Sequence, residues 1–386
     1  MKRAALLCMI MVCLLIGSGC WDRREVNDVA IVIAMAIDKE KGGLYRLSVQ
    51  VPLVSHLGGP TGGGGGTGGD KSYYVDSAVG QTIRDAHNII QSRMSRHLYY
   101  AHHRVVVIGE QLAKEGFGEV LDIISRFPEN RLTAYIVMTR GKAFRLLQAQ
   151  PQFERFSGDA IRELVKAVTI PITIKDISQM LNTPGVDAFL PIFEPVDTKP
   201  KGKSKEIEAT GIATFRNDKL VATYSNEEIK GLRWFQRSFA PYTTVVNLDG
   251  KQKLSIDIYK GKAHIYPVLR NGAIHFQVKV YGTAIVVENL TTYNLSKKEV
   301  VTVIESKLEK EVTDNIKRIF DQIKKTRSDS IGLGIDLARK YPREWKATYR
   351  DRWNEVISKI TYKIDCKVQI SNVGQTTTNI TKEEPQ

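Results

Sequence analysis

The sequence predicts a mixed α/β (α+β) protein of three domains, in which mixed sheets carry packed helices. In the first 140 residues, apolar runs of strand length alternate with segments of helical periodicity, which is typical of an α/β unit. Near the C-terminus, a long amphipathic helix needs a sheet to cover its apolar stripe. The chain has 386 residues, of which 42% are hydrophobic and 25% charged. It is therefore long enough to build several packed cores.

The first 20 residues have the features of a lipoprotein signal. Lys2 and Arg3 precede an apolar run over residues 4–16, which is too short to span a bilayer core of about 30 Å. We expect cleavage between Gly19 and Cys20, and Cys20 then carries the S-diacylglycerol and N-acyl chains. Gly17 departs from the pattern, because bacterial lipoprotein signals usually have Leu there. An ordinary signal peptide or an uncleaved anchor is the alternative.

Charge and cysteine content agree with an exported protein. The net charge is +14, or +12 once the signal is removed, and the basic residues are dispersed rather than clustered. The dispersed positive charge favours an anionic membrane surface over nucleic acid as the partner. The alternative is that these basic residues only keep the surface solvated. Cys8 and Cys13 lie in the signal, so Cys366 is the one cysteine left beside Cys20. The mature chain therefore has no internal disulfide, and we expect Cys366 to be a buried small hydrophobic residue in a strand over 361–370.

The N-terminal domain, residues 20–140, is predicted to alternate strands and helices. Its elements are strands at 29–37 and 45–53, a flexible glycine-rich loop at 58–69, a helix with its apolar stripe at residues 79–94, a strand at 104–108, a helix around 120–124 and a strand at 134–138. The loop lacks the spacing of a phosphate-binding motif, so we do not expect it to bind nucleotides.

The middle domain, residues 141–241, and the C-terminal domain, residues 242–375, are predicted from turn signals and periodicity, and a polar tail follows at 376–386. In the middle domain we predict helices near 143–147 and 161–165, a basic hinge at 199–205, a hairpin of 209–215 with 220–224, and a short helix at 227–235. In the C-terminal domain we predict strands at 254–259, 264–269, 274–281 and 284–287, a helix at 296–325 begun by a capping box of Ser296 and Glu299, and the strand 361–370.

No catalytic, metal-binding or cofactor-binding pattern stands out. His97, His102 and His103 lie close together, but no metal-ligand motif accompanies them, so structural or surface roles are favoured. Glu206 and Glu208 share one face of a strand, where a solvated edge is more common than an acid–base pair. Two tryptophans, Trp345 and Trp353, could stack on a ligand, although packing in the core is the more common role. We therefore expect no catalytic site, no metal and no cofactor.

Several blocks of the sequence resemble the Ger(x)C family, the C subunits of spore germinant receptors. The first is the lipidation segment 19–25, and the blocks follow one another along nearly the whole mature chain. They are residues 19–25, 28–38, 103–109, 211–213 and 219–221, then Glu228, Gly231 and Trp234, and finally Asp329, Gly332, Leu333, Gly334, Pro342, Trp345 and Trp353.

The resemblance implies a non-enzymatic lipoprotein with three α/β domains on the outer face of the spore inner membrane. Such subunits work with two integral membrane subunits, A and B, in sensing nutrients such as amino acids or sugars. Whether this subunit contacts the germinant is left open. The competing interpretations are an extracytoplasmic solute-binding lipoprotein of a transporter, which would have a cleft between two lobes, and a cell-envelope hydrolase.

Overall fold

A computed structural model describes residues 3, 25–53, 72–127, 129–198, 205–250, 252–379 and 381 of the protein. The predicted cleavage and lipidation site at Gly19 and Cys20 therefore lies outside the described residues. The same holds for the glycine-rich loop 58–69, for nearly all of the predicted hinge 199–205 and for most of the polar tail.

Fourteen described strands form three sheets. A two-stranded parallel sheet pairs β1 with β5, and an eight-stranded mixed sheet has the order β10-β9-β8-β7-β6-β2-β3-β4. The strands of these two sheets are β1 (Val29–Ile31), β2 (Ala34–Lys39), β3 (Tyr45–Pro52), β4 (Tyr73–Gly80), β5 (His97–Tyr99), β6 (Val105–Gly109), β7 (Tyr135–Thr139), β8 (Phe189–Asp197), β9 (Lys205–Arg216) and β10 (Lys219–Ser225).

Helices cover both faces of the eight-stranded sheet. Because neighbouring side chains of a strand point to opposite faces, Met35 and Ile37 of β2 lie in one core, whereas Ala34 and Ala36 lie in the other. Helices α1, α2 and α3 contribute to the first core, and α4 and α5 pack on the second. The helices of this part are α1 (Ile83–Gln91), α2 (Glu110–Glu115), α3 (Gly118–Arg126), α4 (Phe144–Leu147), α5 (Ser157–Val168) and α6 (Ile174–Asn182).

The predicted strand at 29–37 is in fact two strands in two sheets. β1 ends at Ile31 and pairs with β5, and the Val32 N–H donates to the Tyr99 carbonyl at 2.9 Å. From Ala34 onward the chain pairs with β3 and β6 instead. An uninterrupted apolar run cannot reveal this change of partner, because both halves are buried.

The eight-stranded sheet extends across the boundary predicted at residue 140. β7 ends just before it, and β8, which follows three helices later, pairs with β7 in parallel through Met138 and Ile192. The predicted segments 20–140 and 141–241 thus share one sheet, and the division of the chain into domains stays a prediction. The predicted hairpin is confirmed: β9 and β10 are antiparallel and joined at Asn217, whose φ is 55°.

The third sheet has the order β11-β12-β13-β14, with β13 and β14 parallel and the other pairs antiparallel. Four predicted short strands are two long ones here, since β12 and β13 run without a break through the facing pair Gly261 and Gly282. A Cβ on either glycine would lie 2.7 Å from the Trp234 ring. The glycines therefore provide room for an indole rather than for a turn. These strands are β11 (Tyr242–Asn247), β12 (Lys253–Arg270), β13 (Ala273–Asn289) and β14 (Thr361–Asn372).

A long helix, α7 (Lys298–Thr326), packs on this sheet through the predicted apolar stripe. The capping box was wrong: the Ser296 hydroxyl donates to Asn294 Oδ1 at 2.7 Å, and no side chain caps the helix. Cys366 of β14 is half-buried rather than fully buried. The predicted fold class, mixed α/β with a long helix on a sheet, is confirmed. After α7 come α8 (Leu333–Lys340) and a series of short helical turns. The turns are Pro342–Glu344, Trp345–Tyr349, Arg350–Arg352, Trp353–Val356 and Ile357–Lys359. Earlier in the described chain, 3-10 turns lie at Val26–Asp28, Lys41–Gly43 and Lys230–Phe235.

Candidate functional site

The three clustered histidines do not converge on one site. His103 is fully buried and its Nδ1 lies 2.6 Å from the Tyr100 carbonyl oxygen, and this burial lowers its pKa. His97 and His102 are exposed, and the His102 ring lies beside Tyr99. Within the described ranges, no group of three or more His, Cys, Asp or Glu side chains is placed to hold a metal ion.

The carboxylates of Glu206 and Glu208 lie on a strand edge, as expected. The Glu206 carboxylate accepts a hydrogen bond from the Gln152 N–H at 3.1 Å. Glu208 lies opposite Glu194, which in turn pairs with Arg140 at 2.7 Å. Glu206 thus belongs to a surface arrangement, and Glu208 lines a separate opening of about 380 Å³ beside Glu227 and Lys230.

The tryptophans pack in the core beside a buried carboxylate. Trp345 and Trp353 form an edge-to-face pair with ring centroids 5.3 Å apart, and both are buried. The Trp353 indole donates its N–H to Asp329 Oδ2 at 3.0 Å. The packing interpretation of both rings is therefore confirmed, and Asp329 emerges as the group that orders them.

Asp329 is fully buried and accepts four hydrogen bonds. Its Oδ1 accepts from the backbone N–H groups of Gly332 and Leu333 at 2.8 and 3.0 Å, and its Oδ2 accepts from Gly334 at 2.9 Å as well as from the indole. The carboxylate thereby satisfies the first free N–H groups of α8. Burial raises its pKa to about 7, while the N–H donors and the indole oppose that rise.

The same loop is attached to the eight-stranded sheet. The Asp329 N–H donates to the Asp187 carboxylate at 2.7 Å, and the Asp187 N–H donates to the Asp329 carbonyl at 2.8 Å. Gly185 and Gly334 approach closely, since a Cβ on Gly334 would lie 2.4 Å from the Gly185 Cα. We name this set of contacts, made by Asp187, Asp329 and the two glycines, the Asp329 junction. It fixes the last third of the chain against the sheet.

A separate cavity of about 470 Å³ lies between α1 and α3, over strands β2 and β3. Met35, Ile37 and Leu47 of the sheet form its apolar floor, and Ile83 and Ile124 of the two helices line its sides. At the rim of the cavity, the guanidinium carbon of Arg84 lies 5.0 Å from the centre of the Phe127 ring. This contact joins α1 to the end of α3 at one side of the opening. Its walls carry both apolar and polar side chains, as small-molecule sites usually do.

A histidine–tyrosine pair forms part of the cavity wall. His87 Nδ1 lies 2.9 Å from the Tyr100 hydroxyl, and burial lowers the pKa of His87 to about 4, with the nearby Arg84 charge adding to the effect. Burial also raises the pKa of Tyr100. The pair is therefore uncharged at neutral pH and offers hydrogen bonds without charge. The sequence held a signal for it: His87 lies four residues after Ile83 and three before Ile90, on the buried side of the predicted helix.

We expect the His87 imidazole to titrate near pH 4 in the folded protein. Because this value lies below the ordinary 6.5, the unfolded chain binds the proton more readily in that window, and protonation of His87 opposes folding as the pH falls from 6.5 towards 4. An NMR titration of the imidazole carbon-bound protons measures this directly, with His87→Gln to assign the resonance. A midpoint at or above pH 6 would contradict the buried pair.

Comparison with known proteins adds two domain matches. The model of the spore germination protein N-terminal domain matches residues 22–195, and that of the spore germination B3/GerAC-like C-terminal domain matches residues 210–374. Asp187 belongs to the first match and Asp329 to the second, so the Asp329 junction joins the two matched parts. No helix in the described part of the chain is long and apolar enough to cross a membrane.

Curated proteins and a solved structure agree with these matches. The chain is 34% identical over 373 residues to the putative spore germination protein YfkR of Bacillus subtilis (strain 168). The aligned region covers 94% of this chain and 97% of that protein. It is 29% identical to spore germination protein KC of the same organism, with 97% of each chain covered. A crystal structure of the GerBC protein shares the fold, with a TM-score of 0.58 at 19% identity over 88% of this chain and 97% of that one.

Proposed function

The chain belongs to the family of spore germination proteins with GerAC-type N- and C-terminal domains, and on that basis we propose that it is a lipid-anchored, non-enzymatic subunit of a nutrient germinant receptor. The observation that carries the proposal is a lipidation motif at Cys20 followed directly by a chain that matches the family over nearly its whole length. Its partners are the integral membrane A and B subunits. Its place is the outer face of the spore inner membrane.

The anchor determines which part of the protein lies near the bilayer. Four residues lie between Cys20 and Glu25, the first residue of the described range 25–53, so these five residue steps can span at most about 17 Å. β1 follows almost at once and pairs with β5, which brings the start of the eight-stranded sheet close to the lipid. The diacylglycerol alone places two acyl chains on one cysteine, which satisfies the requirement of two hydrophobic signals for stable anchoring.

Tethering assists assembly because it converts a weak encounter in solution into one within the membrane layer. The effective concentration of the membrane subunits around a tethered protein is in the millimolar range when the tether is short. Contacts that are too weak to form between freely diffusing proteins can then hold the receptor together. A non-enzymatic role is supported by the separation of the candidate histidines and carboxylates in the fold.

A solute-binding lipoprotein of a transporter is less well supported. Such proteins bind their solute in a cleft between two lobes that open and close, and although an opening of about 790 Å³ lies between α6 and β12, Val186 and Gly332 in its walls are sequence neighbours of the Asp329 junction. The Asp329 junction also attaches the last third of the chain to that sheet through paired hydrogen bonds and a glycine–glycine contact. A hinge that opens and closes around a solute would have to break these contacts.

We expect Cys20→Ala to abolish lipid attachment. A clickable palmitate analogue should label the wild-type protein, leave the Cys20→Ala protein unlabelled, and label Cys366→Ala normally, because Cys366 is a half-buried core residue. Co-purification of the A and B subunits from detergent-solubilised membranes should decrease at least about tenfold for Cys20→Ala, in line with the loss of effective concentration. Labelling that persists in Cys20→Ala, or a wild-type protein without label, would refute the anchor.

A further inference from the structure

We propose that the cavity between α1 and α3 binds a small organic monocarboxylate, with its apolar body between the apolar walls and its carboxylate at Arg84. This inference goes beyond membership of a receptor and does not depend on it, because it stands on the cavity walls alone. Each of its three parts, the size of the ligand, its apolar body and its negative charge, follows from a separate feature of the site.

The size and floor of the cavity determine the body of the ligand. At about 470 Å³ the cavity is within the range of small-molecule sites. Met35, Ile37 and Leu47 belong to the strands and are almost wholly covered, so they close a rigid bottom. The apolar surface that stays open to a ligand lies on the walls, at Tyr100, Ile123 and Phe127. A branched or aromatic group of roughly six to nine carbon atoms would cover that apolar surface, and its removal from water would supply most of the binding energy.

The charge at the rim determines the head group. Arg84 is exposed at the cavity mouth, its guanidinium lies over the Phe127 ring, and no ion pair joins it to any carboxylate in the described ranges. Glu129, the one acidic residue among those lining the cavity, is already engaged by another group of the protein. The cation is therefore the charge left to meet a ligand, and a planar guanidinium matches a carboxylate through paired hydrogen bonds.

The histidine–tyrosine pair supplies a neutral hydrogen-bonding group. When the Tyr100 hydroxyl donates to His87 Nδ1, the proton of the imidazole is on Nε2, where it can be donated to a ligand oxygen. Because the pair itself carries no charge, the preference for an anion depends on Arg84. A single guanidinium suits a monocarboxylate better than a doubly charged phosphate, which would need further cations that the lining does not contain.

The test uses full-length protein in detergent and the probe 3-phenylpropionate, with 3-phenylpropanamide as its uncharged isostere. Isothermal titration should give a dissociation constant of about 0.1–1 mM for the acid, as expected for a ligand of about eleven heavy atoms. The amide should bind about tenfold more weakly. Arg84→Gln should reduce binding of the acid to the level of the amide, and the exposed helix position 84 makes a folded variant expected.

Two further variants separate the site from general effects. Asn88→Trp places a large ring at the exposed cavity mouth and should reduce binding of acid and amide alike by more than tenfold. Arg162→Gln removes an arginine from α5, on the opposite face of the sheet, and should leave the dissociation constants of the acid and the amide unchanged. The proposal is overturned if acid and amide bind equally, if Arg84→Gln and Arg162→Gln behave alike, or if neither probe binds the wild-type protein.

Discussion

Asp329→Ala should lower the free energy of unfolding by about 4 kcal/mol or more. The substitution leaves three backbone N–H groups and the Trp353 indole without an acceptor in a fully buried place, and each such group costs about 1–3 kcal/mol. Urea denaturation followed by tryptophan fluorescence measures the change. Trp353→Phe removes one donor to Asp329 and leaves a smaller aromatic ring in the core, so it is the milder comparison and should cost about 2 kcal/mol.

The pH dependence of the same site has a definite sign. Burial raises the Asp329 pKa to about 7 in the folded protein, from 3.8 in the unfolded chain, so the folded state binds the proton more tightly between these values. The Asp329 contribution to stability is therefore greatest in acid and is lost as the pH rises from about 4 to 7. The free energy of unfolding of the wild type, relative to that of Asp329→Asn, should therefore decrease as the pH rises from about 4 to 7. If the wild type instead becomes more stable relative to Asp329→Asn towards pH 7, the Asp329 pKa is not raised.

Gly334→Ala should destabilise the protein by about 3 kcal/mol, although the same change in an exposed helix usually stabilises by about 0.5–1 kcal/mol. The reason is steric: the new Cβ would lie 2.4 Å from the Gly185 Cα and 2.9 Å from its carbonyl oxygen. Both neighbours are backbone atoms, so no side-chain rotation relieves the clash. The hydrogen bond from the Ile335 N–H to the Gly185 carbonyl, at 3.1 Å, would be displaced as well.

Gly118→Ala serves as the control for a helical glycine. Its Cβ would approach only the Asp218 carboxylate, at 3.0 Å, and that side chain can move, so we expect a change below about 1 kcal/mol. Gly185→Ala tests the other side of the contact and should cost at least as much as Gly334→Ala, because its φ of +93° adds strain. A neutral or stabilised Gly334→Ala protein would mean that the two backbones do not touch.

Both variants act at the place where the two family-matched parts of the chain meet. Asp187 and Gly185 belong to the first match, which contains most strands of the eight-stranded sheet, and Asp329 and Gly334 belong to the second, which contains α7. If the protein works as a receptor subunit, the Asp329 junction determines the relative orientation of the surfaces by which the two matched parts contact other subunits. Loss of the junction should therefore reduce assembly even where each sheet still forms.

Much of the local structure was predictable because it depends on patterns within one segment. The hairpin at Asn217, the apolar stripe of α7 and the strand before α2 all follow from periodicity and turn chemistry in short windows. The packing role of the two tryptophans was also predictable, since large aromatic rings pack in cores more often than they stack on ligands. The structure places Trp345 and Trp353 in the core accordingly.

The differences arise where a distant segment decides the outcome. The apolar run at 29–37 changes sheets because Tyr99 and Arg104 bind its backbone at residues 32 and 33. Gly261 and Gly282 resembled strand breaks, but they make room for an indole that arrives from a different element. Ser296 resembled a helix cap, yet Asn294 accepts the hydrogen bond of its hydroxyl first. In the first two cases a contact from elsewhere in the chain selected the observed arrangement, and in the third a side chain two residues away did so.

The amino-acid order was sufficient for the fold class, the family and the lipidation prediction, since these depend on composition, periodicity and short motifs that survive without coordinates. It could not show that segments 20–140 and 141–241 share one sheet, that Asp329 holds the last third of the chain against it, or that α1 and α3 leave a cavity beside Arg84. These features are contacts between residues up to 142 positions apart. Their free energy depends on burial and close approach in three dimensions, and no short window of the sequence contains both partners.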